Sequence, residues 1–113
     1  MIDKRDRRLR RKRGIRKRIS GTASKPRITV YKSNRHLYVQ AIDDYAGNTL
    51  VASSDFDIGK KPSIENAAKI GKKLAEKLIK TKIKEAVFDR NGYPYHGLVK
   101  AIAEGVRKGG VKI

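Results

Sequence analysis

The chain has 113 residues, a formal net charge of +18 and a sequence pI of about 10.5, a size that suits one domain. It holds no cysteine and two histidines, which excludes a disulfide framework or thiolate site and makes a structural zinc a poor fit, so no cofactor is expected. No apolar run approaches the ~20 residues of a membrane span, and no apolar core follows the basic start as a signal peptide requires, so the chain reads as cytoplasmic with no membrane partner.

The charge is uneven. Residues 1–27 carry nine Arg and four Lys against two acids, whereas residues 28–113 carry three Arg and 13 Lys against nine acids. Arg grips phosphate through a planar fork and stacks on bases, while Lys serves a solvated face. This places a basic arm at residues 1–24 and a compact body at residues 25–113, joined through the turn-rich stretch ISGTASKP. Within the arm, Ile2, Leu9, Ile15 and Ile19 bring too little apolar surface to offset the entropy of ordering. The i,i+4 pairs Asp3–Arg7 and Asp6–Arg10 add ~0.2–0.5 kcal/mol each toward helix, opposed by dense like charge. The arm is expected to be disordered when free and ordered on a polyanion. Its candidate phosphate contacts are Arg5, Arg7, Arg8, Arg10, Arg11, Lys12, Arg13, Arg16, Lys17 and Arg18. A membrane-surface helix would need a large apolar face, which the arm lacks.

In the body, RITVYK alternates Ile28 and Val30 against Thr29 and Tyr31, and LYVQAID alternates Leu37, Val39 and Ala41 against Tyr38, Gln40 and Ile42. With the turn around Ser33–Asn34 between them, the two runs read as a hairpin. DDYAGN is a second turn and TLVASS a third strand, so the three form an antiparallel meander. FDIGKKPS ends the strand region. Ser63 is an N-cap candidate for a helix running to about Thr81, with Glu65 in its first turn. Its apolar set is Ile64, Ala67, Ala68, Gly71, Leu74, Ala75, Leu78 and Ile79, opposite Lys69, Lys72, Lys73, Lys77 and Lys80. EAVFD is a short strand, expected to lie parallel to a meander strand through a right-handed crossover. After the loop RNGYPYHG, a last helix carries Leu98, Val99, Ile102, Ala103 and Val106 and stops at Gly109–Gly110. The fold class is α/β, a βββαβα mixed sheet with two helices covering its apolar face.

Two segments of the body add candidate contacts. The hairpin tip Lys32–His36 offers Lys32, Ser33, Asn34, Arg35 and His36 to phosphate or sugar oxygens. The loop Asp89–Gly97 crowds Arg90, Tyr93, Tyr95 and His96 at a helix N-terminus, where anions are favoured and rings can stack on unpaired bases. The lysine face of the first helix reads as solvated surface. Catalysis is not expected. Asp43, Asp44 and Asp89 fit turn and capping roles better than a two-metal centre, and IGKKPS lacks the glycine and hydroxyl of a phosphate-binding loop.

The stretches PRITVYKSNRHLYVQAIDD and AVFDRNGYPYHGLVKAIAEGVRKGG resemble the bacterial-type large-subunit ribosomal proteins of the L-eighteen family. The most specific pieces are Phe88–Arg90 and Tyr95–Gly97, supported by Arg27, Ser33, His36, Tyr38, Gln40, Asp43 and Asp44 in the hairpin. The resemblance implies a sheet of the ribonuclease H-like, translational-machinery type without the nuclease carboxylates. It also implies binding of 5S rRNA, attachment of that RNA to 23S rRNA in the central protuberance, and neighbours of the L-five family, with no small-molecule substrate. By the same resemblance the arm, the hairpin tip and the loop carry RNA contacts, and Arg27 and Lys100 complete the expected set. Leu98 stands where the family usually has Arg, and Asn91 where it often has Gly. The rival readings are a small-subunit protein of the same fold class, a general nucleic-acid chaperone and a metal-dependent nuclease.

Overall fold

The computed structural model describes residues 7–11, 20–33, 36–59, 63–93 and 95–113. The helical residues 7–11 are α1. They are followed by β1 (Arg27–Lys32), β2 (Leu37–Asp43), β3 (Asn48–Ser54), α2 (Asp55–Ile58), α3 (Ile64–Lys80), β4 (Val87–Asp89) and α4 (Leu98–Lys108). Four strands form one sheet in the order β3-β2-β1-β4. β1 pairs antiparallel with β2 and parallel with β4, and β2 pairs antiparallel with β3. This is the mixed α/β sheet expected from the sequence. The short helix α2 is an addition to that expectation. It begins where the Ser54 hydroxyl accepts a hydrogen bond from the Phe56 N–H at 3.3 Å, a local cap that turns the chain straight out of β3.

Alternation decides which strand residues enter the core. Ile28 and Val30 of β1 and Leu37, Val39 and Ala41 of β2 are buried, while Tyr31 and Gln40 are exposed. α3 and α4 cover the buried face with Ala67, Ile70, Leu74, Ala75 and Leu78 from one helix and Val99, Ala101, Ile102 and Val106 from the other. Two members of the expected α3 set are misplaced. Ile64, at the first helical position, is 64% exposed, and Ile79 is 40% exposed. Ile70, absent from that set, is fully buried. It lies three residues after Ala67 and four before Leu74, so it completes the same stripe. Ser63 caps α3 by accepting from the Asn66 N–H at 3.1 Å, as its position suggested.

The two long helices approach closely because each brings a glycine to the crossing. A Cβ on Gly71 would run into the Ile102 carbonyl, and one on Gly105 into the Ala68 carbonyl. The C-terminus is tied to the β4 side: the Ala86 N–H donates to Lys112 O and the Lys112 N–H to Lys84 O, both at 2.9 Å, burying Val111 between them. At the other end Gly21, inside the stretch read as linker, is buried. Its N–H donates to the Asp44 carboxylate and its carbonyl accepts from the Asp44 N–H.

Candidate nucleic-acid interface

The β1–β2 turn, the β4–α4 loop and α1 meet around one ring. The Tyr93 hydroxyl accepts from the Lys32 N–H and donates to the Lys32 carbonyl, each at 3.3 Å, so the loop is bonded to the end of β1. The Arg8 guanidinium lies 4.8 Å from the centre of the Tyr93 ring, and the Lys32 ammonium 5.6 Å from it. Each such contact contributes about 0.5–1 kcal/mol at an exposed site. Arg8 also donates to the Asn91 carbonyl at 3.2 Å and Arg11 to the Gly92 carbonyl at 2.8 Å. Arg8 and Arg11 share one side of α1 through their i,i+3 spacing, and Arg7 and Arg10 are exposed. A helix of about one turn does not persist alone in water; these contacts hold it. Arg11 stays exposed despite its bond. Thus Arg8, Arg11, Lys32 and Tyr93, expected separately in an arm, a tip and a loop, form one cationic junction.

The loop takes its shape from a turn rather than from its rings. Asn91 adopts φ 55°, in the left-handed region that asparagine tolerates. Its N–H donates to Asp89 Oδ1 at 2.9 Å, and its side-chain amide donates to the Val30 carbonyl at 2.9 Å. This buried clasp presents the Asn91 and Gly92 carbonyls to α1. Backbone acceptors of this kind are invisible to a reading of side-chain types. Beyond the clasp, Tyr95 turns elsewhere: its ring meets Phe88 edge-on at 6.3 Å and its hydroxyl accepts from Arg107 at 3.3 Å. His96 is exposed and Arg90 half-buried. Gly97 opens α4 with φ 58° and no side-chain cap, leaving the first N–H groups of that helix without a side-chain acceptor. Lys100 is exposed, 4.0 Å from Glu104, a surface pair of little energetic weight.

The hairpin tip is braced from beneath. Ser33 and His36 close the turn on each other, through Ser33 N–H to His36 O at 2.9 Å and His36 N–H to Ser33 Oγ at 3.1 Å. The buried Asp55 carboxylate takes the Leu37 N–H and His36 Nδ1, both at 3.0 Å. Burial alone would raise the Asp55 carboxyl; the hydrogen bonds from His36, Leu37 and its own N–H outweigh it and hold the group below its ordinary value. Arg5, Lys12, Arg13, Arg16, Lys17, Arg18, Asn34 and Arg35 lie outside the described residues.

Arg27 departs from the expected contact set. It is 5% exposed and bridges two carboxylates, with Nη1 at 2.7 Å from Asp89 and Nε and Nη2 at 3.0 and 3.1 Å from Asp44. Burial disfavours its charge, but bonds and attraction to Asp44 and Asp89 more than offset this and keep its pKa above the ordinary value. It joins the start of β1 to the second turn and the end of β4, with its guanidinium engaged by these two carboxylates. The same triad accounts for two of the three carboxylates near the strand ends. The third, Asp43, caps its turn by accepting from the Tyr45 and Ala46 N–H groups at 3.0 and 3.3 Å. Among the described residues, no group of three or more His, Cys, Asp or Glu is placed to hold a metal ion.

A family model described as "Ribosomal L18 of archaea, bacteria, mitoch. and chloroplast" matches residues 2–113. This chain belongs to the ribosomal L18 family. The "Large ribosomal subunit protein uL18" of Campylobacter hominis is 53% identical over 106 residues, covering 94% of this chain and 90% of its own length. Its counterpart in Bacteroides fragilis is 47% identical with 99% of both chains covered, and that of Oleidesulfovibrio alaskensis 43% identical with 98% of both. In this member of the L18 family Leu98 packs against the hydrophobic core at the start of α4.

Proposed function

We infer that the protein is a structural constituent of the large ribosomal subunit, in the cytoplasm. In this reading it binds 5S rRNA and helps attach it to 23S rRNA in the central protuberance, beside proteins of the L-five family. Family membership and the names of the relatives support the ribosomal part. The observation that carries the RNA part is the junction at Tyr93, where Arg8, Arg11 and Lys32 are gathered by short contacts on one side of a chain of net charge +18. Cations held in fixed relative positions read the placement of phosphates on a folded RNA, which is how shape is recognised. The rigid body (residues 25–113) sets register. The arm (residues 1–24), anchored to the body at α1 and Gly21, supplies most of the counterion release on the RNA, through Arg5, Arg7, Arg10, Lys12, Arg13, Arg16, Lys17 and Arg18 beside Arg8 and Arg11. Hairpin residues Ser33, Asn34, Arg35 and His36 and loop residues Arg90, Tyr95 and His96 complete the contacts, with Lys100 at the edge. Catalysis forms no part of this function, because Asp43, Asp44 and Asp89 already hold the fold together.

The test is binding to 5S rRNA and to an unrelated RNA of equal length at ~200 mM salt, where non-specific phosphate contacts are weakened by orders of magnitude. A clear preference for 5S rRNA is expected. Removing residues 1–18 should flatten the salt dependence while the body keeps part of the preference. Equal affinity for both RNAs would leave only a general chaperone.

A further inference from the structure

The sheet face turned away from α3 and α4 carries a row of rings with no role in the junction. Tyr31 and Tyr38 are cross-strand partners with ring centres 6.1 Å apart. Tyr38 lies 6.3 Å from Phe56, and Phe56 stacks on His36 at 4.6 Å with planes inclined by 24°. Tyr31 is 54% and Phe56 64% exposed. A hollow of about 400 Å³ opens beside Tyr31 and Tyr38, with Thr29, Gln40 and Asn91 in its wall. That volume is in the range of small-ligand sites, ~300–1,000 Å³. The exposed Gln40 amide can both donate and accept at the edge of a flat group resting there.

Charge decides what fits this surface. Asn91, in the wall of the hollow, receives Arg8 on its carbonyl, and Gly92 receives Arg11, so arm cations stand at the rim. Lys32 follows Tyr31 in the strand and so leaves it on the opposite side, with its ammonium 5.6 Å from the centre of the Tyr93 ring. The described carboxylates nearby are turned inward, with Asp44 and Asp89 on Arg27 and Asp55 on His36 and Leu37. An aromatic floor with a cationic rim matches flat bases joined by phosphates; an apolar protein segment would satisfy the floor and leave the rim unmatched. Tyr93 is a weaker platform, since Arg8 and Lys32 already lie at its ring.

We propose that Tyr31, Tyr38 and Phe56 form a stacking platform for unpaired RNA nucleotides whose phosphates run toward Arg8 and Arg11. This rests on the RNA-binding reading and adds the element recognised, a loop or bulge rather than continuous duplex. The chain has no tryptophan, so Tyr31→Trp places a single indole on the platform and keeps a stacking ring. The full-length variant is titrated with 5S rRNA, a short oligouridylate and a blunt RNA duplex, and complex formation is scored separately by filter retention. Indole emission should be quenched in step with binding of the first two and not by the duplex. Tyr31→Ala and Phe56→Ala, both at exposed positions, should each weaken 5S rRNA binding by about 5- to 150-fold. The salt dependence should stay unchanged, because no phosphate contact is lost. Binding without quenching, quenching by the duplex as well, or full affinity in both alanine variants would overturn the platform while RNA binding stands, and would leave the face to a protein partner. Failure to bind any RNA would overturn both.

Discussion

Replacing Arg27 by Met separates a structural cation from an RNA contact. In the folded protein Arg27 faces Asp89, which is 0% exposed, and Asp44, whose side chain is 20% exposed. Removing the guanidinium leaves Asp44 able to hydrate and still accepting from the Gly21 N–H. Among the described contacts Asp89 keeps the Asn91 N–H on Oδ1, so the buried Oδ2 loses the donor it had. Breaking a buried pair in this way costs about 3–5 kcal/mol, a large part of the ~5–15 kcal/mol typical of a small domain. For 113 residues this corresponds to a fall in Tm of roughly 10–25 °C. Urea and thermal unfolding of Arg27→Met and of Arg27→Met with Asp89→Asn give the numbers. The double variant should recover part of the loss, because a neutral amide is cheaper to bury than a carboxylate. Arg27→Lys should fare poorly too, since one ammonium cannot bridge both carboxylates as the planar fork does. Below the unfolding temperature Arg27→Met should keep its RNA affinity. A stability change under ~1 kcal/mol, as for an exposed pair, together with lost RNA affinity would refute the assignment of Arg27 to the fold.

Gly105→Ala places a methyl group against the Ala68 carbonyl and forces α3 and α4 apart. Overpacking costs about 1–3 kcal/mol, which exceeds the ~1 kcal/mol gained in helix propensity, so urea unfolding should show net destabilisation; a stabilised variant would contradict the close crossing. The folded Asp55 carboxyl is held below its ordinary value, so its stabilisation is complete above the unfolded value of about 3.9 and fades as pH falls through the lower folded value. Asp55→Asn should therefore lose stability at neutral pH and flatten the acid limb of the stability curve. Tyr93→Phe removes the hydroxyl bonded to Lys32 and keeps the ring beneath Arg8. Hydrogen exchange across residues 7–11 should stay near the parent rate in Tyr93→Phe and rise in Tyr93→Ala.

Alternation and helical spacing made most of the architecture legible. The strand faces at Ile28–Val30 and Leu37–Ala41 and the caps at Ser63 and Gly109 are written locally, and the observed elements follow them. What the sequence hid is non-local. Arg27 reads as a surface cation at a strand start because its partners lie 17 and 62 residues away. Tyr93 and Lys32, 61 residues apart, join only once β4 lies beside β1. Alternation placed Tyr31 and Tyr38 on the face away from the core, but says nothing of whether helices cover that face, so the ring row with Phe56 went unread. The Ser54 cap of α2 was a local signal, overshadowed by the glycine and lysines that follow it.

The central claim is that RNA lies on the side where α1, the hairpin tip and the loop meet, and not along the lysine face of α3. Ultraviolet cross-linking of the 5S rRNA complex, followed by mass spectrometric mapping of the attached peptides, tests this directly. Cross-links in peptides spanning residues 7–11, 31–38 and 90–96 are predicted. Cross-links confined to the α3 stretch from Lys69 to Lys80 would contradict the account.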